Sequence, residues 1–197
     1  MLHRDLSINN LMCDKTSTRH IGILSDWDLA SLIDDRNAVI ASNAKHRTGT
    51  VPFMSIHLLQ ASSPHRYCHD LESFYYILIW AAVHFDLRKN QCLSPLPDFQ
   101  EWNHSNPVKA AQPKINYLSN PSQLTSFVSD DFKPLFVTWI KALRELFYNV
   151  YIKNNTESGM HFDTAVWNEV VLERLERNIT FESFMSAIGR KPRYLRI

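Results

Sequence analysis

The sequence predicts a mainly α domain with one short β-hairpin and a buried central helix. Three observations carry this. Leu11-Met12-Cys13 and Ile21-Gly22-Ile23-Leu24 are short apolar runs separated by the polar stretch 14–19, as strands are separated by a hairpin connection. Phe74 to Val83 is apolar on nearly every side, the mark of a helix running through a domain centre. Phe136, Trp139, Ile140, Leu143, Phe147, Val150 and Tyr151 recur at helical spacing, with Lys141, Arg144, Glu145 and Asn149 opposite.

Taken in order, the hairpin is followed by residues 31–52, which show no period and hold Asp34-Asp35-Arg36-Asn37, Ser42, Lys45 and Arg47. A long surface loop is expected there, and such loops inside compact domains are often functional. The central helix is expected over 70–85, with Asp70 either capping it or bracing a neighbouring loop. Residues 93–113, rich in proline and polar groups, read as a connection leading into a short helix near 108–118. The C-terminal helices are expected within 134–189. Pro134 stands near the first start. A second helix over 164–177 carries Val166, Trp167, Val170, Val171 and Leu175. The third is capped by Thr180, buries Phe181, Phe184, Met185 and Ile188, and stops at Gly189. The basic tail with Arg190, Lys191, Arg193 and Arg196 reads as a solvated end.

With 197 residues, 45% of them hydrophobic and 21% charged, the chain has enough apolar material for one domain with a real core. A net charge of +1 draws the chain as a whole toward neither nucleic acid nor acidic lipid. Cys13, Cys68 and Cys92 are far apart and form no CxxC pair, which points to a reducing, intracellular setting rather than a disulfide framework or a thiolate zinc site. His65, Cys68 and His69 precede the central helix without an evident fourth ligand, which argues against a metal cluster. No signal peptide is apparent at Met1-Leu2-His3-Arg4-Asp5, and the apolar stretch 74–83 is about half a membrane span. The four glycines, Gly22, Gly49, Gly159 and Gly189, are too scattered to make a glycine-rich phosphate loop.

Three motifs occur in order. His3-Arg4-Asp5-Leu6-Ser7-Ile8-Asn9-Asn10 places an Asn five residues after an HRD aspartate. Leu24-Ser25-Asp26-Trp27-Asp28-Leu29-Ala30 places an aspartate just after a short apolar strand. Gly49-Thr50-Val51-Pro52-Phe53-Met54-Ser55 closes the long loop. Together they match the second half of the protein-kinase signature set in order and rough spacing. Phosphoryl transfer needs a carboxylate to orient the attacking hydroxyl and accept its proton, which suits Asp5. It also needs oxygen ligands for magnesium, which suits Asn10 and Asp26. Thr50 is placed to hydrogen-bond Asp5 from the far end of the loop.

These residues resemble the fungal-type protein kinase family, through HRDLSINN (3–10), LSDWDLA (24–30), RTGTVPFMS (47–55) and HDLESFYYILIW (69–80). The resemblance extends over essentially the whole chain. It implies a protein-kinase-like C-terminal lobe, with the catalytic loop at 3–10, the metal motif at 24–30 and the activation segment at 26–57. It implies ATP and Mg2+ as cofactors and a protein substrate. Asp5 resembles the catalytic base, and Asn10 and Asp26 the metal ligands. Met12 resembles the floor of the adenine pocket, Asp70 the brace of the catalytic loop, and Arg4 the arginine that docks a phosphorylated or acidic activation segment. Ser42 and Thr48 are candidate phosphate acceptors for it.

Departures from the pattern are as informative. Ser7 stands where a lysine usually touches the transferred phosphate. Asp28 replaces the glycine of DFG, and His57 the glutamate that closes the activation segment. Nothing before Met1 supplies a glycine-rich loop or phosphate-binding lysine, so the N-terminal lobe is expected to be absent and the chain inactive alone. It then needs an N-lobe-bearing segment or partner, or it self-associates through surface exposed around Leu11, Met12 and Leu24. Other readings are a non-catalytic kinase-like protein-binding module, a small-molecule phosphotransferase of the aminoglycoside-kinase type, and a plain helical domain. The small-molecule enzymes lack a peptide-presenting GT-x-P-F-M segment, and the plain domain leaves three ordered motifs unexplained.

Overall fold

Eighteen residues, Tyr67–His84, form helix α2, and it is buried around its circumference. Leu71, Tyr75, Tyr76, Ile77, Ile79, Ala82 and Val83 point to different sides of it and are all in the core. A helix apolar on every side has no solvent face, so the other elements pack around it. The computed structural model describes residues 1–14, 21–34, 39–41, 49–61, 63–153 and 164–192. The hairpin connection, the loop around Asp35 and from Ser42 to Thr48, and the tail from Arg193 lie outside the described residues.

A 3₁₀ turn, Ile8–Asn10, leads into β1 (Leu11–Asp14), which pairs antiparallel with β2 (Ile21–Leu24) in the register Leu11 to Leu24. Two further antiparallel pairs follow: β3 (Leu32–Ile33) with β4 (Val39–Ala41), and β5 (Phe85–Asp86) with β6 (Gln91–Cys92). The single hairpin read from the sequence is therefore one of three among the described residues. The other two have strands of two or three residues, too short to show the two-residue alternation by which a strand is recognised. The chain is mainly helical.

After a 3₁₀ turn at Val51–Phe53 comes α1 (Ile56–Gln60), whose cap Ser55 accepts the amide of Leu58. Helix α2 begins at Tyr67 rather than Asp70, because the His69 ring turns back and accepts the Arg66 amide at 3.0 Å. The region read as a connection holds α3 (Pro97–Gln100) and the start of α4 (Pro107–Ser119), capped by Asn106 through the amides of Val108 and Lys109. Then come α5 (Pro121–Phe127), α6 (Lys133–Leu135) and α7 (Lys141–Tyr148), the last flanked by π-helical turns at Phe136–Ile140 and Asn149–Lys153. Helix α8 (Thr164–Asn178) and α9 (Phe181–Ala187) complete the chain. Thr180 caps α9 by accepting the Ser183 amide, and Gly189 ends it at φ +66°.

The core joins α2 to α4, α7 and α8, with an aromatic cluster at the C-terminal half of α2. Phe99 and Trp102 lie 5.0 Å apart, and Tyr76 and Trp102 meet edge to face at 5.3 Å. Among the described residues no helix is long and apolar enough to cross a membrane. All three cysteines are unpaired. Trp102 is fully buried at the join between α2 and α4. Trp102→Ala is expected to lower unfolding free energy by about 3–5 kcal/mol, read by urea denaturation, because the neighbouring rings cannot close the void.

Candidate functional site

The site is assembled from two loops that bury Leu2 and Leu6, and Phe53 and Met54, in the core, and hydrogen bonds to the helical body set their remaining geometry. The first loop is tied to α2 by Asp70. Its carboxylate accepts the amides of His3 at 2.8 Å and Arg4 at 3.2 Å, and His65 donates to it at 2.8 Å. Asp70 thus serves the loop and His65, while the helix start is formed at Arg66. The loop is also bridged to residue 31 through paired main-chain bonds between Leu2 and Ser31. Arg4 sits at φ +73° and donates from its guanidinium to the Ser31 hydroxyl at 2.9 Å and the Leu29 carbonyl at 3.5 Å.

Asp5 is half-buried and accepts the Thr50 hydroxyl at 2.8 Å, 45 residues along the chain. Its carbonyl accepts the side-chain amide of Asn10 at 2.8 Å. That bond orients the Asn10 side chain, whose oxygen remains as its acceptor. The Asn10 carbonyl in turn takes the amide of Ser25, so Asn10 and Asp26 stand at the same end of the β1–β2 hairpin. Asp26 is exposed at φ +61°. Residues 24–26 are further fixed by Trp27, whose ring N–H donates to the Leu24 carbonyl at 2.8 Å, and by His3, whose Nε2 donates to the Ser25 carbonyl at 2.8 Å. Met12 lies on β1, half exposed to solvent. Ser7 is buried. The motif residues 5, 10, 26 and 50 therefore cluster. Ser7 is withdrawn from solvent, and Arg4 and Asp70 lie behind as supports. Among the described residues no three His, Cys, Asp or Glu side chains converge as metal ligands. Asn10 and Asp26 offer two oxygens, a set that suits a hard cation whose other ligands are water or phosphate.

The second half of the site is the segment from Gly49 to Ile56. Gly49 adopts φ +129°, and a Cβ there would stand 3.2 Å from the Arg4 carbonyl and 3.1 Å from Met54. Glycine is required by both the backbone angle and the closeness of the first loop. Glu72 of α2 accepts the Ile56 amide at 2.9 Å and the hydroxyls of Tyr76 at 2.8 Å and Tyr151 at 2.7 Å. Lys114 of α4 donates to the carbonyls of Met54 at 2.5 Å and Val51 at 3.2 Å. Burial pushes Glu72 up and Lys114 down to about 7, each toward its neutral form, and each is drawn back by the other's charge.

His57 ends a chain of imidazoles with one direction of donation. The Arg66 amide donates to His69 Nδ1, His69 Nε2 donates to His57 Nδ1 at 3.2 Å, and His57 Nε2 donates to the Asn168 carbonyl at 3.0 Å. Every ring nitrogen is used by neutral rings, and an added proton has no acceptor. Burial lowers both pKa values, His69 well below the ordinary range.

Lys114 and Glu72 were not singled out from the sequence, and the hydrogen bonds of Tyr151, His57 and His69 were not foreseen. One signal was present: Lys114 falls on the stripe Ala110, Ala111, Tyr117, Leu118, where a helix carries its buried face. The sign of the pH response follows from the histidines. Unfolded imidazole takes up a proton below about pH 6.5, and the folded rings refuse it. Stability is thus complete above that pH and is lost as pH falls through the window beneath it. His84, also lowered by burial, acts the same way, as does Lys114, lowered to about 7, while the raised Glu72 opposes them as one group against four. Urea midpoints are expected to fall between pH 7.5 and 5.5, by at least about 1 kcal/mol. Equal midpoints contradict a neutral chain.

A comparison with curated proteins finds no match to this chain. Residues 1–82 match the family model described as "Fungal protein kinase". That span holds both tied loops, the β1–β2 hairpin and α2 up to Ala82, and leaves the helices from α3 onward outside the match. Over those residues the resemblance read from the motifs is borne out, and the stretch is similar to the fungal protein kinase family.

Proposed function

We propose that this chain is the catalytic lower lobe of an ATP-dependent protein phosphotransferase. The observation that carries the reading is the Thr50 to Asp5 hydrogen bond at 2.8 Å, which ties the far end of the long loop to the carboxylate suited to act as base. In this reading Asp5 orients the substrate hydroxyl and accepts its proton. Thr50 holds the carboxylate in place, and Asn10 and Asp26 supply oxygens to Mg2+ at the phosphates. Bound magnesium would neutralise charge on the phosphates. Met12 offers an apolar surface to adenine. Ser7, neutral and buried, gives the transferring phosphoryl group no cationic help, so slow turnover is expected. Arg4 faces the start of the loop at Leu29 and Ser31, where an acidic or phosphorylated segment would meet it.

Met12, Ile21 and Ile23 on the hairpin are 51%, 50% and 43% exposed. An exposed apolar face of this kind calls for cover, and we assign it to an upper lobe supplied by a further segment or a partner, with self-association as the outcome without one. The same face supports the second reading, a kinase-like module that binds protein without catalysis. The unpaired cysteines support a reducing compartment.

Residues 1–197 contain no glycine-rich loop to cover the phosphates. The polypeptide on its own is expected to show no micromolar binding of magnesium-ATP by calorimetric titration. Joined to an upper lobe, it is expected to transfer phosphate to a protein substrate. Asp5→Asn is expected to lower turnover by about 10²–10⁴-fold, and Asp26→Ala to abolish it. Near-normal turnover in the Asp26→Ala protein refutes the metal assignment, and inactivity of the unaltered protein with an upper lobe in place favours the non-catalytic module.

A further inference from the structure

Lys114 is the one lysine among the described residues that is wholly buried. A core position that needed only filling would take an apolar residue at lower cost, since a buried ammonium must recover its lost hydration from partners. The partners here are specific. Two donors go to the Met54 and Val51 carbonyls, and the charge lies 4.4 Å from the Tyr76 ring and 5.5 Å from the Trp102 ring. The Tyr76 hydroxyl donates to Glu72, whose same oxygen accepts the amide of Ile56. The Lys114 amine therefore holds the carbonyls of residues 51 and 54, and the Glu72 carboxyl group holds the amide of residue 56. Immediately before this clamp stand Thr50, bonded to Asp5, and Gly49, packed on the Arg4 carbonyl.

We infer that Lys114 is a positioning residue, one that holds the 3₁₀ turn at 51–54 by its carbonyls and so fixes Thr50 against Asp5 and the surface on which a substrate peptide lies. The inference rests on the phosphotransferase reading for its consequence, though the clamp itself does not. Turn and lysine are far apart in sequence, so the substrate-facing segment takes its shape from α4 as well as from the catalytic loop.

The test is hydrogen exchange on the intact 197-residue chain, followed at the amides of Phe53, Met54 and Ile56, with the slowest α2 amides as internal reference. Around Lys114 stand Glu72 and Tyr76 of α2, with Tyr151 bonded to the same carboxylate and His57 at the start of α1. Burial keeps the two tyrosines protonated and His57 neutral through the window from pH 7 to 9. Lys114 itself is lowered to about 7 when closed, and it takes up a proton when opening lets in water. Opening of the turn is therefore expected to become rarer as pH rises, by up to about tenfold per pH unit. In Lys114→Met this slope disappears, and at pH 7 the three amides open at least about tenfold more often than in the unaltered chain while the α2 reference is unchanged. Protection and slope that survive the substitution overturn the inference. So does a loss shared equally by α2, which marks Lys114 as core filling only. Where Lys114→Met does not fold, the unaltered chain decides. A slope confined to the three amides supports the clamp, and a slope that is absent or uniform refutes it. Failure of the phosphotransferase reading shows separately, in turnover with an upper lobe supplied, and leaves these exchange results standing.

Discussion

Helix α2 is buried on all sides and yet carries His69, Asp70 and Glu72 within its first two turns. Polar groups taken out of water must find partners, or they cost more than the packing around them returns. The partners are main-chain groups of the loops. Asp70 takes the amides of residues 3 and 4, Glu72 takes that of residue 56, and His69 takes that of residue 66 and donates to His57. One constraint thus solves two problems. The helix satisfies its buried acids, and the loops, which Leu2, Leu6, Phe53 and Met54 already pin to the core, acquire fixed main-chain positions. An apolar α2 would leave those main-chain amides without their partners.

How much of this was legible follows from the same distinction. Apolar patterning over 74–83 and 136–151 exposes the central and late helices, because burial writes itself into every third or fourth residue. The Thr180 cap and the Gly189 stop are local and equally readable. Asp5, Asn10, Asp26 and Thr50 were singled out because a motif fixes their spacing, and hydrogen bonds link Thr50 to Asp5, Asn10 to Asp5, and Asn10 to the residue before Asp26. The short strand pairs β3–β4 and β5–β6 escaped because two residues make no period. The first turn of α2 escaped because His69 acts as its own start signal, against the preference for Ser, Thr, Asp or Asn. Lys114 escaped for a deeper reason. Its role lies in what it touches 60 residues away, and a charged residue on an apolar stripe is ordinarily read as a break in the stripe.

Charge is handled in two ways beneath the segment 49–56. The histidine chain is held neutral, with each ring donating once and accepting once, and it ties α1 to α8 without a buried ion. Lys114 and Glu72 do the reverse and set one ionisable group over the Tyr76 ring and the other on its hydroxyl. Neutral imidazoles tolerate burial cheaply but offer one donor each. An amine reaches two carbonyls from one nitrogen, and the carbonyls, the ring face and the carboxylate beyond it offset only part of its desolvation.

Arg4 and Asp26 lie at φ +73° and +61°, where side-chain-bearing residues are strained by on the order of 1–3 kcal/mol each. Such angles persist only where neighbours over-determine them. At Arg4 the amide is held by Asp70 and the side chain by Ser31 and Leu29. At Asp26 the preceding residue is held at both ends, its amide by Asn10 and its carbonyl by His3. Every one of these bonds is made within the described residues, and none requires a ligand. The orientation of the site is therefore set by the helical body and its hairpin alone. What that body does not supply is cover. The apolar face of Met12, Ile21 and Ile23 stays open beside a rigidly held set of polar groups. On the phosphotransferase reading, geometry and affinity then reside in different parts of the enzyme: the strained loops orient the reacting groups before anything binds, and closing the hairpin face decides whether nucleotide stays.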